Sequence, residues 1–531
     1  MTPVAPFPLH RNVTALREAR FDVLVIGGGI YGAWTAYDAA QRGLRVALVE
    51  KDDWAAGTSQ ASSKLIHGGL RYLEHFEFGL VKHALAERQT LATIAPHLVQ
   101  PLNFVVPVWR GDRVGRVKLR AGLALYDWLA RGEQPVAKHA PLSLRTVRAA
   151  HPYLQAEGLR GALRYGDCQE DDARLTVIIV AAAQGAGAVC ANGMLAEKLL
   201  LDAGHCVGAE LLDRRSGERL TLHARCVINC CGPWTHLLTS TALPPAALPL
   251  VKLIRGIHLI LPAIPGLDRA FLLTAPDDGR VFFVIPWYGR TLVGTTETAV
   301  GDADSLQDDE RETRYLLAAV AARMPGLGWR REDVIARYAG TRSVYDGDAS
   351  SLSAASREFT LHAPLPGLLV PIGGKYTTAR HDAEAIVDRA YAELGLDAPA
   401  STTALTPLPG APSLGEGETF AQWLRNATHP LTRRGVDAEA ARWLARRHGS
   451  GIVRIAELLD ENPTWRTRLH PEAPFIAAEA VLGWRDEMAG SFDDLFRRRM
   501  PLTLIAGDRN GALDSARRLY ESLVATADSP R

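Results

Sequence analysis

The sequence has little of what marks secreted, membrane-spanning or nucleic-acid-binding proteins. Its six cysteines include no C-x-x-C pair, so no zinc site or disulfide framework is predicted and a reducing compartment is favoured. No run approaches the roughly 20 apolar residues of a membrane-spanning helix, and the first residues lack the apolar stretch of a secretory signal. With a net charge of +1, the chain has no basic excess for binding nucleic acid. We therefore expect a cytoplasmic protein with no nucleic-acid partner.

The strongest local motif lies in residues 21–50. FDVLVI is typical of a buried strand, GGGIYG supplies G-x-G-x-x-G, and a helical stretch then leads to the strand RVALVE. Gly27 permits the tight turn, Gly29 lets the backbone approach a pyrophosphate, and Gly32 allows close helix–strand packing. Glu50 is placed to bind the adenosine ribose. The pattern predicts an α/β fold with a Rossmann-like dinucleotide-binding domain, and the fingerprint alone fits FAD and NAD equally.

Two later segments favour FAD, because flavoproteins often resume their cofactor domain late in the chain. ARCVINCCGPW (224–234) and LLVPIGGKYTTAR (368–380) each read as a strand that runs into glycine. Thr377 and Thr378 suit a helix N-terminus, where hydroxyls cap free N–H groups. The vicinal pair Cys230 and Cys231 ends a strand, so we expect it to pack rather than to react.

The run SSKLIHGGLRYLE (62–74) carries a family resemblance. Together with VIGGGIYGA, DCQEDDARL, CCGPW, VIPW, GTTE and GGKYTT in this order, it resembles the respiratory FAD-dependent glycerol-3-phosphate dehydrogenases, which are D-amino-acid-oxidase-like flavoproteins. The resemblance covers nearly the whole chain, including a helical C-terminal domain. It implies FAD-dependent oxidation of sn-glycerol 3-phosphate to dihydroxyacetone phosphate, with electrons passing to a membrane quinone at the cytoplasmic face of the inner membrane. It leaves a homodimer open.

Oxidising a phosphorylated secondary alcohol needs a hydride acceptor, a cationic clamp and a base. Arginine is the side chain best suited to phosphate, and Arg71 and Arg342 are candidates, with Lys375 as a third cation. The resemblance implies that all three face the substrate, with Tyr72 beside Arg71.

Two histidines are candidates for the base. His258 is preferred because nearby arginines would lower its pKa and keep it neutral. The resemblance implies that His258 lies on the substrate side and that His67 lies near the flavin. Lys375 is a competing proton acceptor. Because His258 lies in the apolar strand LIRGIHLIL, a role as a core histidine stays open.

Further cofactor contacts are expected in the run after Glu50 and around the later glycines. Hydroxyls in this run favour contacts with the FAD phosphate and ribitol, and the resemblance extends the set. The predicted residues are Thr58, Ser62, Ser63, Leu65, His67, Gly68, Gly232, Gly374, Lys375 and Thr377. No metal site is predicted, because Asp171 and Asp172 have no third ligand at a useful spacing and read instead as a helix N-terminus.

Three positions depart from the family pattern. Ser343 replaces a proline, Ile257 replaces a small polar residue, and Glu297 stands where aspartate is more typical. These departures predict a pocket wall of altered shape, which bears on the substrate more than on the reaction.

The length of 531 residues, with 47% hydrophobic and 22% charged residues, predicts two to four domains. Pro, Gly, Ser and Thr are enriched in 401–417, which reads as a linker. The predicted organisation is an oxidoreductase domain at 21–400, with FAD-binding segments near 21–80, 175–235 and 355–400, antiparallel substrate-domain segments near 85–170 and 240–345, and a helical C-terminal domain at 418–531.

Residues 110–131 form a candidate contact with an anionic lipid surface. On a helix, Arg113, Arg116 and Arg120 share one face. Beside them runs an apolar stripe, made of Val114, Val117, Ala121, Leu125 and Trp128 and widened by Leu119, Leu123 and Tyr126. The alternative is a surface helix packed on the substrate domain. Three functions compete with the quinone-linked dehydrogenase: a glycerol-phosphate oxidase that uses oxygen, a related D-amino-acid-oxidase-like flavoenzyme with a different small anionic substrate, and a non-catalytic dinucleotide-binding protein.

Overall fold

The computed structural model describes residues 8–305, 310–345, 359–508 and 511–527; the first residues of the predicted segment 355–400 lie outside them. The strands are β1 Phe21–Ile26, β2 Val46–Glu50, β3 Leu65–Ile66, β4 Gln100–Trp109, β5 Ala140–Leu142, β6 Leu159–Gln169, β7 Val189–Asn192, β8 Met194–Asp202, β9 His205–Asp213, β10 Arg219–Asn229, β11 Val251–Pro262, β12 Ala270–Thr274, β13 Val281–Trp287, β14 Arg290–Gly294, β15 Thr298–Val300, β16 Ala336–Tyr345, β17 Thr360–Leu365, β18 Leu368–Ile372, β19 Arg468–His470 and β20 Ala473–Ile476.

The α-helices of the same residues are α1 Val13–Glu18, α2 Ile30–Gln41, α3 Phe78–Ile94, α4 Arg116–Leu129, α5 Leu144–Ala150, α6 Asp172–Gly185, α7 Thr235–Thr239, α8 Glu310–Arg323, α9 Ala379–Leu394, α10 Phe420–Ala427, α11 His429–Thr432, α12 Ala438–His448, α13 Ile452–Glu461, α14 Ala477–Asp486, α15 Leu502–Ala506 and α16 Asp514–Ala527.

The first sheet is the predicted Rossmann-like unit. Its order is β17-β18-β10-β1-β2-β7, and β1 pairs in parallel with both β10 and β2. The strands read as continuous apolar runs because separate hydrophobic clusters cover the two faces of the sheet. Helix α2 follows β1 directly and is buried along most of its length. This arrangement brings the carboxyl ends of β1, β2 and β10 to one edge.

The second sheet is largely antiparallel, as predicted for the substrate domain. Strand β11 lies between β14 and β16, and both pair with it in antiparallel register. Successive side chains of a strand point to opposite faces. Ile257 and Leu259 therefore enter one buried cluster, whereas His258 points to the other face.

The C-terminal domain is mainly helical, with one short hairpin of β19 and β20. Its apolar side chains share a single hydrophobic cluster with those of the second sheet. The stretch 401–417, described throughout, contains neither helix nor strand. It is nevertheless packed against the protein, because Thr403 and Leu408 are fully buried and the Leu408 N–H donates to Ile94 O at 2.9 Å.

The apolar residues predicted to form one stripe in 110–131 lie on two different faces of helix α4, one buried and one exposed. Leu119, Leu123 and Tyr126 are buried in the core, so they do not widen an exposed face. Val117 and Trp128 are 86% and 67% exposed. Among the described helices, none combines the length and apolar character needed to cross a membrane.

Candidate active site

The glycine loop after β1 is shaped as the fingerprint predicts. Gly27 has a φ of +111°, and a Cβ there would lie 2.5 Å from Cys230 O. A Cβ on Gly32 would lie 1.8 Å from Gly27 O, so both positions require glycine. Gly29 is less confined: a Cβ would meet Ser59 Oγ at 3.1 Å. Ser59, which sequence analysis did not single out, accepts a hydrogen bond from Ile30 N–H at 2.8 Å, at the start of α2.

The carboxylate of Glu50 closes this loop at the end of β2. It accepts hydrogen bonds from Gly28 N–H at 2.6 Å and from Asp52 N–H at 2.9 Å. Burial raises the pKa of Glu50, and the two N–H donors oppose that rise. The side chain is thus fixed beside the glycine turn, where its contact with ribose stays a prediction.

The loop before β3 connects the two sheets through its side chains. Thr58 donates to Thr341 O, and Ser63 Oγ lies 2.8 Å from His258 Nε2. Ser62 donates through both N–H and Oγ to Asp172, at 3.0 and 2.7 Å. These residues were predicted as cofactor contacts; in the structure their hydroxyls bond to protein groups.

Lys64 and Asp172 form a buried ion pair that the sequence did not reveal. Lys64 Nζ lies 2.7 and 2.8 Å from the two carboxylate oxygens of Asp172 and 2.7 Å from Gln60 O. Burial lowers the pKa of Lys64, and the charge of Asp172 opposes that change. A lone lysine in a polar run gives no sign of this pairing, because its partner lies 108 residues away.

Asp171 and Asp172 of the acidic stretch 170–172 lie at the N-terminus of α6, as the sequence predicts. Asp171 occupies the N-cap position of α6 without a capping side-chain hydrogen bond, because its carboxylate accepts from Tyr288 OH at 2.9 Å. Asp172 is engaged by Ser62 and Lys64. Glu170 is 2% exposed, and neither carboxylate oxygen has a hydrogen-bond partner among the described residues. Burial raises the pKa of Glu170 well above its usual range.

Two glycine-containing loops meet next to β3. The His67 N–H donates to Thr377 Oγ1 at 3.3 Å, so Thr377 contacts this loop instead of capping α9. The His67 ring packs edge-on against Phe283, with centroids 6.1 Å apart. Gly68 donates to Tyr126 OH at 2.8 Å. Leu65 is buried and pairs with Gln169 on β6.

The loop after β18 is held by α2, the helix that follows the glycine fingerprint. Lys375 N–H donates to Tyr31 OH at 3.1 Å. Gly374 has a φ of +79°, and a Cβ there would lie 1.6 Å from the same oxygen. This position requires glycine, and the contact fixes Lys375 relative to α2.

The predicted cations lie on three separate segments and are each half-buried. Lys375 Nζ lies 3.5 Å from the centre of the Tyr72 ring. Arg71 Nη2 lies 3.6 Å from Glu297 Oε1. On β16, Arg342 is opposite Ile254, and its Nη2 lies 3.0 Å from where a Cβ on Gly256 would be.

His258 lies on β11, between β14 and β16. It is opposite Gly294 on β14, and a Cβ on Gly294 would lie 2.3 Å from the imidazole Cδ2. The ring is 3% exposed, and Nδ1 has no hydrogen-bond partner among the described residues. Burial, then the charges of Lys64 and Arg342, lower the pKa of His258 well below its usual range. The imidazole is therefore neutral near pH 7, with burial as a larger cause than the arginines invoked from the sequence.

The departures from the family pattern have different structural consequences. Ile257 lies in the hydrophobic core on the opposite face from His258, so it does not form the pocket wall. Glu297 pairs with Arg71. Ser343 lies opposite Leu253 on β11.

The segment at the end of β10 also packs as predicted. Burial raises the pKa of Cys230 to about 12, and Cys231 Sγ lies 3.6 Å from Ile26 O. Gly232 has a φ of +53° with open space where a Cβ would be. The cysteines therefore contribute packing at the edge that carries the glycine loop.

Comparison with known proteins agrees with this geometry. The family model for FAD-dependent oxidoreductases matches residues 22–380, and the model for the C-terminal domain of alpha-glycerophosphate oxidase matches 401–525. A glycerol-3-phosphate dehydrogenase of Synechocystis sp. is 34% identical, over 94% of this chain and 92% of that protein. The aerobic glycerol-3-phosphate dehydrogenase of Staphylococcus aureus is 32% identical, over 91% and 87%. The chain belongs to the FAD-dependent glycerol-3-phosphate dehydrogenase family.

A solved structure extends the comparison to the fold of this family. The glycerol-3-phosphate dehydrogenase of Bacillus halodurans, complexed with FAD, superposes with a TM-score of 0.78 at 29% identity, over 96% of this chain and 92% of that one. The present family member is an FAD-dependent oxidoreductase. Its residues fit FAD, because Gly27 and Gly32 give the tight turn and the close packing of α2 that the dinucleotide fingerprint requires, and Glu50 is hydrogen-bonded to Gly28 beside that turn.

Proposed function

We propose that this enzyme oxidises sn-glycerol 3-phosphate at C2 to dihydroxyacetone phosphate. The observation that carries the proposal is that half-buried Arg342 on β16 lies close enough to buried His258 on β11 for its charge to lower the pKa of that histidine. Arg71 and Lys375, on the two glycine loops, are the further cations of the proposal. The named activity of the relatives supports the same substrate. When bound, FAD supplies the hydride acceptor at N5.

The proposed roles follow from charge and burial. Arg71, Arg342 and Lys375 bind and orient the phosphate, since half-buried cations form stronger charge-assisted hydrogen bonds than exposed ones. His258 accepts the hydroxyl proton, and its neutral form is ready to do so. His67 and Lys375 are the alternative proton acceptors.

Bleaching of the flavin spectrum under anaerobic conditions tests the substrate. Glycerol 3-phosphate should bleach it, whereas glycerol, glycerol 2-phosphate, amino acids and 2-hydroxy acids should do so far more slowly at equal concentration. If glycerol bleaches the flavin as fast as glycerol 3-phosphate does, the proposed binding of phosphate by the three cations is wrong. A protein whose flavin none of these compounds reduces would be a non-catalytic dinucleotide-binding protein.

We further propose a membrane quinone as the electron acceptor. The competing candidate is molecular oxygen, favoured by the match of residues 401–525 to the domain described for alpha-glycerophosphate oxidase. Reoxidation of the reduced enzyme by a quinone analogue without oxygen supports the first. Faster reoxidation by oxygen, with stoichiometric peroxide, supports the second.

A quinone acceptor requires contact with a bilayer, and the exposed face of α4 is the proposed contact. Val117 and Trp128 project from this face, and Arg116, Lys118 and Arg120 are exposed beside them. Phe76, 78% exposed, precedes the packed neighbour α3. Apolar side chains bordered by basic residues are typical of a helix lying among lipid headgroups.

Vesicle sedimentation tests this surface. Changing Val117 and Trp128 to Ser should release the protein from anionic vesicles and leave flavin reduction by glycerol 3-phosphate intact. The matched control is Val453→Ser, which removes another exposed apolar side chain from the C-terminal domain. Equal sedimentation of the double variant and the control would refute the proposed contact.

A further inference from the structure

Three consecutive arginines of the C-terminal domain contact the oxidoreductase domain at two different places. They lie in a π-helical turn, Asp494–Arg499. Arg498 Nε and Arg499 Nη1 lie 2.7 and 2.9 Å from Asp53 Oδ2. Asp53 belongs to the loop that follows Glu50, so this pair of arginines anchors the domain beside the predicted ribose site.

Arg497 is engaged differently from its two neighbours. No carboxylate among the described residues forms an ion pair with it. Its guanidinium carbon lies 5.1 Å from the centre of the Tyr338 ring, within the range of a cation–π contact. Burial lowers the pKa of Arg497, which means that its charge is held here against a desolvation cost.

Tyr338 connects Arg497 to His258. The two aromatic rings stack with centroids 4.8 Å apart and an interplanar angle of 16°, and the residues are direct partners of β16 and β11. Tyr338 OH donates to Ser62 O at 2.7 Å, which fixes one end of the ring. Ser63, the next residue, contacts the imidazole Nε2.

We propose that Arg497 is a positioning residue through which the C-terminal domain holds Tyr338 stacked on His258 and so fixes the orientation of the imidazole. The inference rests on the proposed role of His258 as the base. It assigns the C-terminal domain a part in catalysis without a contact to substrate. A proton acceptor must be held in a narrow range of positions, and small displacements cost rate.

The charges facing this stack determine the expected pH dependence. Lys64 lies 5.0 Å from the Tyr338 ring, Arg342 lies on the same strand as Tyr338, and Asp172 pairs with Lys64. Asp171 also acts on Lys64, as does Arg497. The lowered pKa of His258 is caused by burial, Lys64 and Arg342, so Arg497→Met should slow flavin reduction with little movement of the acidic limb of its pH profile.

Histidine NMR measures the stack without any turnover. In the FAD-loaded protein with ¹³Cε1-labelled histidine, the His258 signal is assigned by its loss in His258→Asn. Arg497→Met should shift this signal, and Arg497→Lys should shift it much less. Arg485→Met is the matched control, because Arg485 lies 5.1 Å over the Trp465 ring on the domain surface and should leave the signal in place.

Kinetics and a second substitution complete the test. Arg497→Met should slow flavin reduction by roughly tenfold, and adding it to Tyr338→Leu should slow reduction little further, because effects that act through one residue are not additive. Should Arg497→Met not fold, Arg497→Gln in the wild-type and Tyr338→Leu proteins gives the same comparison.

An unmoved His258 signal in Arg497→Met, or additive rate losses with Tyr338→Leu, would overturn the inference. Failure of glycerol 3-phosphate to reduce the wild-type flavin would instead overturn the proposed function, and the NMR result would still decide whether Arg497 positions His258.

Discussion

Two charged clusters of opposite sign differ in burial. The acidic stretch 170–172 is buried, and two of its three carboxylates are paired with Lys64, Ser62 or Tyr288. The cations Arg71, Arg342 and Lys375 are half-buried around the proposed substrate site. Buried charges need partners to be tolerated, and Asp171 and Asp172 have them. The role of the half-buried cations as phosphate ligands stays a proposal.

The largest expected effect comes from breaking the buried cluster at Asp172. Asp172→Ala leaves Lys64 as a buried, uncompensated cation, which should lower the free energy of unfolding by about 3–5 kcal/mol. Urea unfolding followed by tryptophan fluorescence and by release of FAD measures the change.

The neighbouring acid provides the control for Asp172. Asp171→Ala removes only the hydrogen bond from Tyr288 and should cost about 1–3 kcal/mol. The double variant Lys64→Met, Asp172→Ala should regain much of the loss. A single Asp172→Ala variant as stable as the wild type would show that this ion pair does not hold the loop.

The next effect is catalytic and concerns His258, the proposed base. His258→Asn should slow flavin reduction by roughly 100-fold or more, with FAD still bound. Because the pKa of His258 is lowered, the wild-type rate should be flat from about pH 6.5 upward and fall only at more acidic pH. Stopped-flow reduction by glycerol 3-phosphate measures both; a normal rate in His258→Asn would transfer the role to His67 or Lys375.

The parts of the candidate site differ in how much of them the sequence reveals. The glycine loop could be predicted because Gly27, Gly32 and Glu50 lie within one strand–helix–strand unit, where spacing alone fixes geometry. Motif content likewise predicts Arg71, Arg342 and Lys375 as cations of one site, and this stays a prediction. The pairing of Lys64 with Asp172, and of Ser63 with His258 across 195 residues, depends on how the two sheets meet, and no local pattern records that.

Helix α4 shows a second limit of sequence patterns. Its apolar residues follow helical spacing on more than one face, and periodicity does not say which face meets the core. The structure buries Leu123 and Tyr126 and exposes Val117 and Trp128. A substitution set chosen from the sequence alone would have combined a core residue with surface residues.

The third prediction concerns the half-buried cations. Arg342→Ala should weaken glycerol 3-phosphate relative to unphosphorylated glycerol by about 2–3 kcal/mol, the value of a charge-assisted hydrogen bond, or about 30- to 150-fold in the ratio of kcat/KM values. The matched control is Arg337→Ala on the same strand, since Arg337 pairs with Glu310 at 2.7 Å. An equal loss for both substrates would exclude a phosphate contact.

The smallest effect concerns Glu170. Neither oxygen of its buried carboxylate has a hydrogen-bond partner among the described residues, unlike those of Asp171 and Asp172. Its pKa is raised in the folded protein, so the unfolded chain binds fewer protons and stability falls as pH rises above the usual carboxyl range. Glu170→Gln removes that cost, and its thermal midpoint should exceed the wild type's by a larger margin at pH 8 than at pH 5. Glu87→Gln is the contrasting variant, because Glu87 is equally buried but paired with Arg380, and losing that charge should destabilise the protein. A Glu170→Gln midpoint that differs from the wild type by the same amount at both pH values would mean that Glu170 does not carry the buried proton inferred from its surroundings.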